Sequence, residues 1–128
     1  MTSRHFDLSV AANLAIDRGA TYRRIFRWAN KLTGTAYDLT GAQVKFEAFD
    51  TETNMRLIDA GTDNGKVELD GSRGKILLNL QRVDTLNLPD LLYYYLTVFL
   101  TNADAKRLLR GNLECIGLRG AIDPAVLP

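Results

Sequence analysis

The stretch Leu91 to Thr101, LLYYYLTVFLT, constrains this chain more than any other. Rich in aromatic and β-branched side chains, preceded by Pro89-Asp90 and followed by Asn102-Ala103-Asp104, it reads as one long strand entering a hairpin. Side chains alternate across a strand, so Leu92, Tyr94, Leu96, Val98 and Leu100 share one face, and Leu91, Tyr93, Tyr95, Thr97 and Phe99 share the other. Neither set is polar. An antiparallel strand with one wet face alternates apolar with polar residues, so the second face here requires a cover, either another segment of the chain or another protein.

The 128 residues form one domain, long enough to bury roughly two thirds of the unfolded surface without staples. A formal net charge of +1 gives no electrostatic basis for general nucleic-acid binding, and none is expected. The basic residues are mostly arginine, which favours bidentate and stacked contacts at interfaces. Cys115 is the single cysteine; it excludes an intrachain disulfide, and its place in the strand-like NLECIGL marks it as packing rather than as a nucleophile. The opening MTSRHFD has no hydrophobic signal region and no run approaches a membrane span, so synthesis in a cytoplasm without a membrane partner is expected.

In chain order, residues 1–7 are polar and read as a flexible arm. A first strand spans Leu8 to Ile16, with Leu8, Val10, Ala12, Leu14 and Ile16 on one face, and Asp17-Arg18-Gly19 turns the chain. From Ala20 to Trp28, Tyr22, Arg24, Phe26 and Trp28 face one way and Arg23, Ile25 and Arg27 the other; Arg24, odd among the inward set, fits a sheet edge with its head in water. Asn30 to Gly41 is a loop. Ala42 to Phe49 alternates most cleanly, with Ala42, Val44, Phe46 and Ala48 inward and Gln43, Lys45 and Glu47 outward. Met55, Leu57 and Ile58 predict a short strand or bend closed by Asp63-Asn64-Gly65. Lys66 to Leu69 and Lys75 to Leu80 flank a hairpin turn, and Gln81 to Leu88 is the one helical turn. After the long strand and a turn at Asn102 to Ala105, Lys106 to Arg110 leads through Gly111 into a last strand, Asn112 to Leu118. Residues 121–128, AIDPAVLP, form an extended tail whose prolines forbid a regular helix or central strand. Short strands with frequent turns predict an all-β antiparallel sandwich of about seven or eight strands over residues 8–120, with a small barrel as the alternative.

Catalytic and metal chemistry find no support in the residues. His5, the sole histidine, lies in the arm, which leaves no His-based triad or multi-histidine zinc site, and the glycines sit singly at turns rather than in a phosphate-binding loop. Asp63, Asp70 and Asp104 are turn residues. Arg23, Arg24 and Arg27 beside Tyr22 and Trp28 read as a solvated or interface face rather than a nucleic-acid surface. No catalytic, cofactor-binding or metal residue is assigned, and no cofactor is expected. Binding remains: Tyr93, Tyr95 and Phe99, together with Ile25, form the candidate protein interface, against the alternative that residues 50–64 or the tail cover that face. A carbohydrate-binding or host-surface-binding module is the competing reading, since exposed aromatics on β-sandwiches also hold sugar rings.

Several stretches together resemble a family. Arg18-Gly19-Ala20-Thr21-Tyr22, the strand ending at Trp28, Asp38-Leu39-Thr40-Gly41 before an alternating strand, Gly74-Lys75-Ile76 opening another, and the tyrosine-rich strand followed by Leu108-Leu109-Arg110-Gly111 are similar, in their order, to immunoglobulin-like β-sandwich domains of tailed-bacteriophage baseplate and tail components, including the amino-terminal part of upper baseplate proteins. Arg24 stands where members of that family often carry an aliphatic residue. The resemblance implies an immunoglobulin-like fold and a non-enzymatic virion structural protein, made in the host cytoplasm. It also implies assembly with other virion proteins, as a homo-oligomer or ring within the particle.

Overall fold

The computed structural model describes residues 10–117. The expected arm at residues 1–7, the tail at 121–128, and His5 and Leu8 lie outside the described residues. The apolar stretch forms β8 (Leu91–Phe99), and the larger of two sheets is laid out around it. On one side β8 pairs antiparallel with β4 (Gln43–Asp50), which pairs with β5 (Arg56–Gly61); on the other it pairs antiparallel with β9 (Ala105–Ile116). The far edge of β9 carries β1 (Val10–Ala11) and β2 (Leu14–Asp17). The smaller sheet is β3 (Tyr22–Arg27), β7 (Lys75–Leu80) and β6 (Val67–Asp70), in that order. A single short α-helix among the described residues, α1 (Arg82–Thr85), links the sheets. The strands separate into two sheets, so the barrel alternative does not form. With β1 and β2 counted as halves of one interrupted edge strand, the described residues hold eight strands, at the upper end of the expected number.

Alternation places the core where the sequence reading put it. Leu92, Tyr94, Leu96 and Val98 of β8 and Val44, Phe46 and Ala48 of β4 are fully buried. They face Ile76, Leu78 and Leu80 of β7, also fully buried, across one continuous core. Each such aliphatic or aromatic side chain contributes about 1.5–3 kcal/mol through burial. At the centre the Phe46 and Tyr94 rings stack with centroids 5.2 Å apart. The Tyr94 hydroxyl donates to the Ala12 carbonyl at 2.6 Å, which satisfies the one polar atom this ring brings inside. Burial pushes the Tyr94 phenol above its ordinary value and keeps it a neutral donor.

Two features depart from the sequence expectation. First, β1 and β2 run parallel to β9, although an antiparallel structure was expected. A parallel pair needs a long crossover, and nearly the whole chain separates these partners, so connectivity imposes no obstacle. Second, Gly111 does not divide the last strand: β9 continues through it from Ala105 to Ile116. The short strand expected around Met55, Leu57 and Ile58 forms as β5, with Ile58 alone of that trio in the core and Met55 and Leu57 exposed. The β4–β5 register shifts between Ala48 and Phe49, so a bulge resets which side chains of β5 face inward. Arg24 behaves as its position predicts: β3 is an edge strand, and the guanidinium is exposed, 5.7 Å from the Phe26 ring centroid.

The end of the molecule near α1 is tied together by Arg18. Its side chain is buried; Nε donates to the Leu88 carbonyl at 2.7 Å, and the two terminal nitrogens donate to the Gly117 carbonyl and the Asp90 carboxylate. Thr85, wholly buried, accepts from the Gly19 amide at 3.0 Å and lies 3.0 Å from the Ala20 carbonyl. Together Arg18 and Thr85 fasten the β2–β3 turn to α1, to the approach to β8, and to the end of β9.

Candidate functional site

The outer face of β8 carries the most unusual chemistry on the surface. Thr97 is buried there, Tyr93 and Tyr95 are half-buried, and Leu91 and Phe99 remain 40% and 43% exposed. Inward residues alternate with these, so a β-strand at the sheet centre necessarily presents them on the side away from the core. The suggested internal cover, residues 50–64, meets this face at its margin: the Tyr93 hydroxyl donates to Asn54 Oδ1 at 3.2 Å, and Thr51 Oγ1 donates to the Leu91 carbonyl at 3.3 Å.

Lateral contacts account for the partial burial of the tyrosines. Phe49 of β4 stacks on Tyr93 with centroids 5.1 Å apart, and it meets Tyr95 edge-on at 6.2 Å. Tyr93 and Tyr95 are themselves edge-on at 5.8 Å, with planes 76° apart. The Arg107 guanidinium, from β9, lies 3.9 Å from the Tyr95 centroid. Ring pairs of this kind contribute about 0.5–1.5 kcal/mol each and an exposed cation–π contact about 0.5–1 kcal/mol. The rings are therefore held in fixed orientations before any partner arrives, which lowers the ordering cost of binding. Because Tyr93 and Tyr95 stand nearly perpendicular, they do not form a coplanar platform for a sugar ring.

Of the four residues expected to act together, the structure brings together Tyr93, Tyr95 and Phe99. Ile25, 62% exposed, lies on β3 opposite Leu77, on the outer face of the other sheet. Alternation assigned Ile25 to an outward face correctly, but the period of a strand carries no information about which sheet it joins. The sequence reading missed Phe49 and Arg107. Phe49 had a visible signal, being the one aromatic in step with the wet set Gln43, Lys45 and Glu47. Arg107 had none, because its stacking depends on pairing with Thr97 across the β8–β9 hairpin.

Charges of both signs flank the aromatic stripe. Toward β5, Lys45 Nζ lies 2.7 Å from Asp59 and Arg56 Nη1 lies 2.7 Å from Glu47, with Arg56 Nη2 bridging to Asp59 at 3.4 Å. Toward the other edge, Arg107 and Arg110 pair in register with Thr97 and Tyr95, and Glu114 with Leu91. The hydrogen bond from Lys45 holds the Asp59 carboxyl below its ordinary value and, reciprocally, Asp59 raises Lys45 above its own. A depressed carboxylate means that the unfolded chain binds more protons as pH falls below the ordinary carboxylate range. The contribution of Asp59 is thus present above that range and lost as pH drops through the folded value. Asp59→Asn should shrink the loss of unfolding free energy between about pH 7 and about pH 3 by less than about 1 kcal/mol, since the pair is screened by water; urea titrations at both pH values check this.

The remaining candidate chemistry is quiet. Among the described residues no group of three or more His, Cys, Asp or Glu side chains is placed to hold a metal, and no helix is long and apolar enough to cross a membrane. Cys115 is buried in the core, as packing. Arg23 Nε donates to Asn79 Oδ1 at 3.3 Å and Arg27 Nη2 to the Gly34 carbonyl at 2.9 Å, so these two are bonded locally on one face of β3, and Arg24 lies by the Phe26 ring on the other. No protein-family model matches the chain, and no curated protein matches it either.

Proposed function

We propose that this protein is a non-enzymatic structural subunit that assembles with further copies of itself through the outer face of β8, within the tail, baseplate or adjoining connector of a tailed-phage virion. The observation that carries the assembly reading is the preorganised Phe49–Tyr93–Tyr95 cluster with exposed Leu91 and Phe99 beside it, an aromatic stripe at the centre of a sheet. Such stripes exceed what single scattered surface hydrophobics present and match the aromatic, arginine-enriched centres of protein interfaces. A second copy is the partner favoured by the charge pattern. Lys45, Glu47, Arg56 and Asp59 on one flank and Arg107, Arg110 and Glu114 on the other carry both signs and sum to only +1, so the face can oppose itself with unlike charges meeting and little net repulsion, as a two-fold contact requires.

The virion setting rests on the resemblance to immunoglobulin-like domains of phage tails and baseplates. The strand order supports that fold: β6-β7-β3 facing β5-β4-β8-β9 follows the D-E-B and C′-C-F-G arrangement of such domains, with the opening strands against the last one. The chain has no disulfide across the sheets, and the Phe46–Tyr94 stack occupies the centre of the core.

Replacing Tyr93, Tyr95 and Phe99 together with Ser should weaken self-association by at least about a hundredfold, because central aromatics carry a disproportionate share of interface energy, while circular dichroism and core burial stay unchanged. Ile25→Ser, on the opposite sheet, should leave association unaltered. Equal effects from both variants in sedimentation measurements would sink this assignment.

A further inference from the structure

A groove of about 1320 Å³ opens between the edge strand β3 and the β1–β9 edge of the larger sheet. Phe26 and Trp28 form one wall, Leu108 and Leu109 the other, and Ile76 and Leu96 lie at its base. Among the described residues no strand pairs with the outer edge of β3. An apolar slot of this size beside an unpaired strand is a place where the fold is incomplete.

We propose that residues 1–9 of the same chain fill this groove as an extended segment, with Phe6 and Leu8 as its apolar anchors. Val10 pairs in parallel with Leu109, so the chain enters the described structure on the wall of the groove. Continuing that register backwards leads past Leu108, Arg107 and Lys106, all of which line it. The register offset between this edge and β9 is the same at Val10–Leu109 as at Leu14–Leu113, so no bulge lies between those pairs; β9 bulges just beyond, at Leu108, where β8 pairs Leu96 with Leu109 and Thr97 with Arg107 without losing its own alternation. Leu14 and Ile16 are the buried members of that edge, and counting back in twos reaches Leu8 and Phe6. Nine extended residues span about 30 Å, ample for the slot. The other undescribed segment is badly placed: it leaves β9 at Gly117, about 30 Å along the strand from Leu108. This seating is independent of the assembly reading.

Trp28, the single tryptophan, stacks on Tyr37 at 4.3 Å within the groove and reports its occupancy. In the full-length protein, Phe6→Ser with Leu8→Ser should raise acrylamide quenching of Trp28 at least twofold and shift its emission to longer wavelength. Unchanged quenching in a folded variant would overturn the proposal. Hydrogen exchange on the unsubstituted protein decides the matter even if that variant unfolds. Alternate amides of residues 6–9 should exchange at least tenfold more slowly than in a free peptide, at a rate independent of protein concentration. Free-peptide exchange throughout residues 6–9 would overturn the seating, as would protection that appears only at high concentration, because that pattern belongs to a segment supplied by a neighbouring copy.

Discussion

Arg18→Met should cost about 2–4 kcal/mol of unfolding free energy, a large part of the stability of a domain this size. Methionine keeps most of the buried stem but removes every donor. Two penalties compete in importance. Asp90 has a side chain 83% exposed, so it recovers water when the guanidinium goes and loses little. The Leu88 carbonyl belongs to a residue only 4% exposed and accepts the Arg18 Nε bond inside the structure. Leaving the buried Leu88 carbonyl without its donor dominates the cost. Arg18→Lys should recover less than half of the loss, because one ammonium cannot reach three acceptors arranged around a planar fork. Urea denaturation of the three proteins measures this; a methionine variant within about 0.5 kcal/mol of the parent, the range of ordinary surface changes, would remove Arg18 from its role as a fastening.

The second large effect is at Gly111. A Cβ built there would meet the Ala12 carbonyl oxygen at 2.0 Å and its carbon at 2.8 Å, both backbone atoms with no rotamer to escape into. Gly111 pairs with Tyr94, and the same Ala12 carbonyl accepts the Tyr94 hydroxyl. Ala12 also donates its amide to the Arg110 carbonyl at 2.9 Å, and Asn13 Oδ1 accepts from the Asn112 amide at 3.1 Å. A methyl group at Gly111 therefore pushes the interrupted edge strand off β9 and pulls the acceptor away from Tyr94. Gly111→Ala should destabilise by about 3 kcal/mol, near the top of the range for overpacked interiors. It should also accelerate exchange of the Ala12 and Arg18 amides, both bonded to β9, more than that of amides in the β4–β8 ladder. A neutral substitution would mean that the edge strand adapts freely.

How much of this was legible in the sequence follows from how local each cause is. The strands β4 and β8 and the β6–β7 hairpin declare themselves, because period-two alternation and turn residues act over a few neighbours. Arg18 does not: beside Asp17 and Gly19 it reads as a wet turn residue, and its burial depends on acceptors about seventy and a hundred positions away. Gly111 reads as a break, and its actual purpose, room for Ala12, depends on pairing between the two ends of the chain. The candidate site divides the same way. Tyr93, Tyr95 and Phe99 share a strand, so their common face is fixed locally, whereas Ile25 could be placed with them only by knowing that β3 joins the other sheet. Non-local pairing is the information that a single sequence conceals.

The central claim, that the aromatic outer face of β8 is an interface between copies, is tested most directly by light scattering on the full-length protein across a wide range of concentration and salt. The account predicts an oligomer of fixed mass that persists on dilution and at high salt, since apolar contacts are insensitive to screening. A monomer mass under every condition would contradict it.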